Sequence, residues 1–237
     1  DEFHLEDSRH PTRWDLDDAI PDYPVKLIHR SGHAMVLNSL AMNIAGITDI
    51  TVDPPGSFIE RQDLTGTPTG LLFDMNEYIN KVTPELSEED ISIGLERYNK
   101  LCLSYGLTSL NDASVNNDLR KMDLLKEFKE NGTLIPSINF MVGIDHLEDF
   151  LRKGIKFGDG LDSFRIGSAK IVLSLTTGVL NPGKKELRDL IGYANRNGFQ
   201  VAIHAVENES IMAAISALED CGNNGVVNGF RNRIEHC

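Results

Sequence analysis

The spacing of apolar residues changes character along the chain. From about residue 88 onward, stretches with apolar positions three and four apart alternate with short, nearly unbroken apolar runs, the pattern of amphipathic helices alternating with buried strands. The first pattern predicts helices over about 88–105, 117–131, 145–153, 183–197 and 208–221. The second predicts strands over 107–110, ending at Asn111-Asp112, and over 134–142, 164–173, 201–205 and 233–236. Local signals agree with this reading. Ser87 can cap the first helix with Asp90 three residues on, acids crowd its first turn where the helix dipole favours them, and Gly106, Gly132 and Gly198 follow helix ends. Helices between strands imply right-handed crossovers, so the five strands form a parallel α/β sheet. None is followed by a glycine-rich phosphate loop, and periodicity alone is satisfied by a barrel or an open sheet.

Residues 1–85 read differently. They hold most of the prolines and several turn signals, with a helix expected from Asn38 to about Ala45, closed by Gly46. Apolar stretches at 57–61 and 70–73 flank the turn-rich Asp63-Leu64-Thr65-Gly66-Thr67-Pro68 and predict a short β-hairpin. The expected organisation is a segment 1–85 followed by an α/β domain over 86–237.

Composition narrows the function. With 41% hydrophobic residues in 237, the chain can bury a large core. A net charge of −13 argues against nonspecific binding to nucleic acid or to an anionic membrane. Cys102, Cys221 and Cys237 are odd in number and contain no C-x-x-C pair, so neither a disulfide framework nor a structural zinc knuckle is expected. No apolar run approaches the ~18 residues of a membrane span, and the acidic opening Asp1-Glu2-Phe3-His4 is unlike a signal peptide. A cytoplasmic location is the expectation. The chain begins without Met and stops at Cys237, directly after a strand pattern, so truncation at both ends is expected.

Candidate chemistry lies at the carboxyl ends of successive strands, the edge where catalytic groups of α/β sheets collect. Asp112, Lys170, His204 and His236 all fall there. A single strand-end histidine is more often a satisfied core residue, but two on consecutive strands can reach one zinc-like ion. Lys170 sits inside an apolar strand, where an ammonium is costly to desolvate, so it needs a partner or a changed identity. It could be a neutral amine ready for Schiff-base chemistry, a carbamate offering an oxygen ligand, or the partner of Asp112 or another strand-end acid. His33, in the small-residue turn Arg30-Ser31-Gly32-His33 read as preceding a helix, could orient a substrate, unless Ser31 simply caps that helix beside an exposed His33. Asn38 and Asp112 are further expected substrate contacts. His4, His10, His29 and His146 are assigned no role, and Cys102 and Cys221 read as packing residues.

A set of motifs then acquires a common meaning. Pro11-Thr12-Arg13-Trp14-Asp15-Leu16-Asp17, Ser31-Gly32-His33-Ala34 with Asn38-Ser39, Ala45-Gly46-Ile47-Thr48, Asp53-Pro54-Pro55-Gly56, Pro68-Thr69-Gly70-Leu71-Leu72, Gly106-Leu107-Thr108-Ser109, Val201-Ala202-Ile203-His204-Ala205 and Arg233-Ile234-Glu235-His236 occur in this order. Over nearly its whole length the chain resembles the YtcJ-like branch of the amidohydrolase superfamily, the amidohydrolase family 3 type. The resemblance implies a partial (β/α)8 TIM-type barrel carrying about strands 2 to 6. Residues 1–85 would be an insertion over the active site, and the terminal β-sandwich and barrel ends would be missing.

It further implies a metal centre to which Lys170, carbamylated in many members, His204 and His236 would contribute. A His-x-His pair and an aspartate base would lie outside the chain. The implied cofactor is a divalent metal, zinc first, as one or two ions. The implied reaction is hydrolysis of an amide or formamide-like C–N bond, a metal-activated water attacking the carbonyl carbon. Two departures mark this chain: Ile171-Val172-Leu173-Ser174 stands where many members follow the lysine with Asp-Gly-Ser, and Val206-Glu207 stands where Gly-Asp usually follows the histidine. The implied partners are a small-molecule substrate and, since a half barrel leaves two open edges, the missing segments of the same barrel or a second copy of the chain. Two alternatives stand beside this reading: a Schiff-base lyase on a TIM barrel using Lys170, and a non-catalytic fragment.

Overall fold

The computed structural model describes residues 5–84, 86–223 and 229–237, with Asn223 described by its backbone only. His4 and the boundary residue Glu85 lie outside the described residues. The chain divides into two compact units, Asp1–Glu85 with Thr176–Val179, and Leu86–Leu175 with Leu180–Cys237.

The first unit runs α1 (Arg13–Ala19), β1 (Lys26–Ile28), β2 (Ala34–Leu37), α2 (Ser39–Ile44), β3 (Phe58–Arg61), β4 (Pro68–Phe73) and α3 (Asn76–Asn80). Its strands form an antiparallel sheet in the order β1-β2-β4-β3. The expected hairpin is β3 with β4, and it is extended by two strands that the sequence pattern does not announce. All four residues of β2 are buried. Strand side chains alternate faces, so Met35 and Leu37 join a core with Met42, Ile59, Leu72, Met75 and Ile79, while Ala34 and Val36 pack with Leu71 against Leu16 and Phe73. Gly70 must be glycine: its φ is +92°, and a Cβ there would stand 2.5 Å from the Leu37 carbonyl oxygen. The helix expected from Asn38 is α2, with Asn38 as its N-cap. His33 therefore precedes a strand, not a helix, which corrects the expectation for that turn.

The second unit follows the alternation read from the sequence. It runs α4 (Glu88–Ser104), β5 (Ser109–Asp112), α5 (Leu119–Glu130), β6 (Ser137–Gly143), a 3-10 turn over Ile144–His146, α6 (Leu147–Arg152), β7 (Gly160–Leu161), β8 (Phe164–Val172), α7 (Lys184–Arg196), β9 (Val201–His204), α8 (Asn208–Asn223) and β10 (Arg233–Glu235). Ser87 and Asp90 form the predicted capping box at the start of α4. The sheet order is β10-β9-β8-β6-β5, parallel throughout, with the two-residue β7 antiparallel to β8.

The two faces of this sheet differ in chemistry. Phe140, Val142, Ile166, Ala169, Ile171, Val201 and Ile203 belong to one core with Leu147, Phe150, Leu187, Ile191, Ala214 and Ala217 of the helices. Residues alternating with these carry polar groups. Asn111 pairs in register with Asn139, and their amides share a 2.7 Å hydrogen bond. Lys170, Ala202 and Arg233 form one row across three strands, and Val172, His204 and Glu235 form the next. A closed barrel interior is normally filled by branched apolar side chains, so this polar face marks the side where chemistry can be done.

Candidate metal centre

The site is built at the carboxyl ends of β8, β9 and β10. His204 is the last residue of β9, and His236 follows the last residue of β10. Strict alternation would turn His236 away from His204's side of the sheet. Instead His236 has φ +72°, a left-handed conformation that costs a non-glycine residue on the order of 1 kcal/mol. The two imidazoles then meet edge to face, ring centroids 4.7 Å apart and planes at 61°. Backbone strain at such a point is a pointer to function.

Lys170 is 3% exposed. Its ammonium donates to the Glu235 carboxylate, so its partner is an acid of β10 and not Asp112. Arg233 donates through Nε to the other oxygen of Glu235 at 3.1 Å, and its guanidinium lies 3.9 Å from the Met141 sulfur. Burial works against ionisation of Glu235. The hydrogen bond and charge of Lys170, with the charge of Arg233, outweigh it and hold the carboxyl below the usual glutamate range.

The other expected site residues are placed elsewhere. Asp112 accepts from the Ser114 amide at 3.1 Å and hydroxyl at 2.7 Å, closing its own loop, and its register partner Phe140 puts it on the helix side of the sheet. Asn38 is fully buried in the first unit. Its Oδ1 accepts from Ala41 N and Val25 N, and its Nδ2 donates to the Tyr23 and Ile20 carbonyls. With the hydrogen-bonding capacity of its amide so used, Asn38 is a structural hub and not the substrate contact expected of it. In the same unit, His33 Nδ1 lies 2.8 Å from Asp74 Oδ1, and the Asp74 amide donates to the His33 carbonyl at 2.7 Å.

Glu235 and Arg233 were not singled out from the sequence. The available signal was their spacing: two charged residues two apart in a strand share a face, which is unusual unless each has a partner. Among the described residues no cluster of three or more His, Cys, Asp or Glu side chains could hold a metal ion. The donors present nevertheless fit a zinc-like ion in kind. Two imidazoles stand side by side, and a lysine of the neighbouring strand could add an oxygen donor only after conversion to a carbamate, since an ammonium offers no lone pair.

Comparison with known proteins bears on this arrangement. A family model described as the amidohydrolase family matches residues 1–237. The chain is similar to the N-substituted formamide deformylase of Arthrobacter pascens, at 28% identity over 91% of this chain and 44% of that protein. It is 30% identical to the YtcJ protein of Bacillus subtilis (strain 168), which carries an amidohydrolase name, over 95% of this chain and 45% of that one. A solved metal-dependent hydrolase of Pyrococcus horikoshii OT3, described as uncharacterized, matches with a TM-score of 0.65 at 23% identity, covering 99% of this chain and 47% of that one. That likeness shows the fold, an α/β architecture with a curled half-barrel parallel sheet. The chain thus spans less than half the length of the proteins it matches.

Proposed function

The chain belongs to the amidohydrolase family, and from that premise we propose that it supplies part of the metal centre of a hydrolase acting on amide or formamide-like C–N bonds. The observation that carries this reading is the apposition of His204 and His236, whose ring centroids lie 4.7 Å apart at the carboxyl ends of adjacent parallel strands. His204 and His236 would hold a divalent ion, zinc first, and Lys170 would join them as a carbamate. Such an ion, when bound, supplies Lewis-acid polarisation of a carbonyl and a water of lowered pKa.

The chain's own residues then have distinct tasks. His204 and His236 would present imidazole nitrogens to the ion, with the turned backbone at His236 setting the second ring against the first. Glu235 and Arg233 keep the lysine side chain in place. In the first unit, His33 Nδ1 lies 2.8 Å from Asp74 Oδ1. Under this reading β5, β6, β8, β9 and β10 are the second to sixth strands of a (β/α)8 barrel. The outer edges of β5 and β10 would pair with further strands of the same barrel, and an aspartate base would come from outside this chain. A Schiff-base role for Lys170 is not favoured, because the family and the apposed His204 and His236 both support metal chemistry instead. Among the described residues no helix is long and apolar enough to cross a membrane.

The test is elemental analysis of the full-length protein together with turnover of an N-substituted formamide before and after chelation. A stoichiometric divalent metal and chelator-sensitive hydrolysis are expected. Full activity without metal would refute the reading.

A further inference from the structure

Lys170 and Glu235 lie on strands that are not neighbours: β9 runs between β8 and β10. Adjacent strands are about 4.8 Å apart, so the lysine stem and the glutamate arm together span two strand spacings, about 10 Å, and a two-residue offset along the strands. On β9, Ala202 is the register partner of Lys170, is fully buried and carries only a methyl group, while His204 is the register partner of Glu235. Arg233, on the same face as Glu235, takes one carboxylate oxygen and leaves the other for Lys170.

We propose that Glu235, steadied by Arg233, is a positioning residue that latches Lys170 across β9. While the latch is closed, the Lys170 nitrogen is held by a carboxylate and is not free to form a new N–C bond. Conversion of Lys170 to a carbamate would therefore require the latch to open first. The carbamate step rests on the metal reading above; the latch does not.

Cyanate labelling of the metal-free chain tests the latch. Isocyanic acid adds to an amine by forming an N–C bond while the amine proton moves to the reagent's nitrogen, leaving a urea that peptide mass spectrometry locates on Lys170. Glu235→Gln keeps the shape and removes the charge, and should label Lys170 faster than wild type on the order of tenfold, the effect of losing a charge-assisted hydrogen bond. Glu235→Asp restores the carboxylate and should return labelling to within about threefold of wild type. Equal labelling of Lys170 in wild type and Glu235→Gln, both with wild-type circular dichroism, overturns the proposal. So does labelling in Glu235→Asp as fast as in Glu235→Gln. Should Glu235→Gln fail to fold, Arg233→Gln carries the test with an expected rise of about threefold, and no rise there overturns it equally. Because labelling is read without metal, its outcome is independent of zinc binding, which is measured separately and whose absence would refute the metal reading alone.

Discussion

Lys170 of β8 and Glu235 of β10 form an ion pair across β9, the strand that separates them. Breaking a buried pair from one side strands the other charge, which costs more than the pair itself contributes. Lys170→Met should therefore lower unfolding stability by about 3 kcal/mol, and pairing it with Glu235→Gln should recover at least about 1 kcal/mol. Urea titration of the four proteins gives the coupling. Strict additivity would show that the two side chains do not interact.

Ala202, the register partner of Lys170 on β9, carries only a methyl group. Ala202→Leu adds bulk to a fully buried position and should both destabilise the chain by about 2 kcal/mol and raise cyanate labelling of Lys170. A variant as stable as wild type with unchanged labelling would show that the lysine takes another route.

Asn38 joins four backbone groups of the first unit from a fully buried position. Asn38→Ala leaves those donors and acceptors unpaired and removes the α2 cap, for an expected loss of about 2–3 kcal/mol. Zinc affinity should be unchanged. A variant of wild-type thermal stability would contradict this role.

These assignments separate what the sequence could show from what it could not. The βα alternation of the second unit was legible because its helices and strands each bury one kind of periodic face, and its helix starts carry their own caps, as Ser87 and Asp90 do. Strand β2 was not, because burial on both faces removes alternation, and β1 is only three residues long with all of them exposed, too short to show a period. The placement of His204 and His236 at strand ends could be read from sequence, but their approach depends on the positive φ at His236, which no pattern announces. The Lys170 partner was legible only as a need for some acid. That it is Glu235, 65 residues away, follows from strand order.

Asp15 gives the first unit a pH-dependent contribution. Arg9 donates to its carboxylate at 2.7 and 3.0 Å, and the Thr12 amide and hydroxyl donate at 2.6 and 2.8 Å. The Arg9 hydrogen bonds first, and the Thr12 ones second, hold the carboxyl far below the usual aspartate range. A group depressed on folding stabilises the fold above its unfolded pKa of about 3.9, and that contribution fades as pH falls toward the folded value. Wild type should melt above Asp15→Asn at neutral pH, with the gap closing as the pH drops below about 4. Because the pair is solvent-exposed, added salt should narrow the gap as well. A gap that persists unchanged at acid pH would rule out this linkage.

Among the described residues β5 and β10 are the outer strands of the parallel sheet, and under the proposed barrel each would pair with a further strand. The isolated chain should therefore turn over no formamide substrate even with zinc supplied, as a spectrophotometric amine-release assay would show. Sustained turnover by residues 1–237 alone would mean that the site is complete as it stands.

Zinc titration of the chain by isothermal calorimetry, in wild type and in His204→Ala, His236→Ala and His33→Ala, tests the central claim most directly. The account predicts one zinc-dependent heat in wild type, weakened at least about tenfold by either strand-end histidine substitution and unaffected at His33. Zinc binding that survives loss of both His204 and His236 would contradict it.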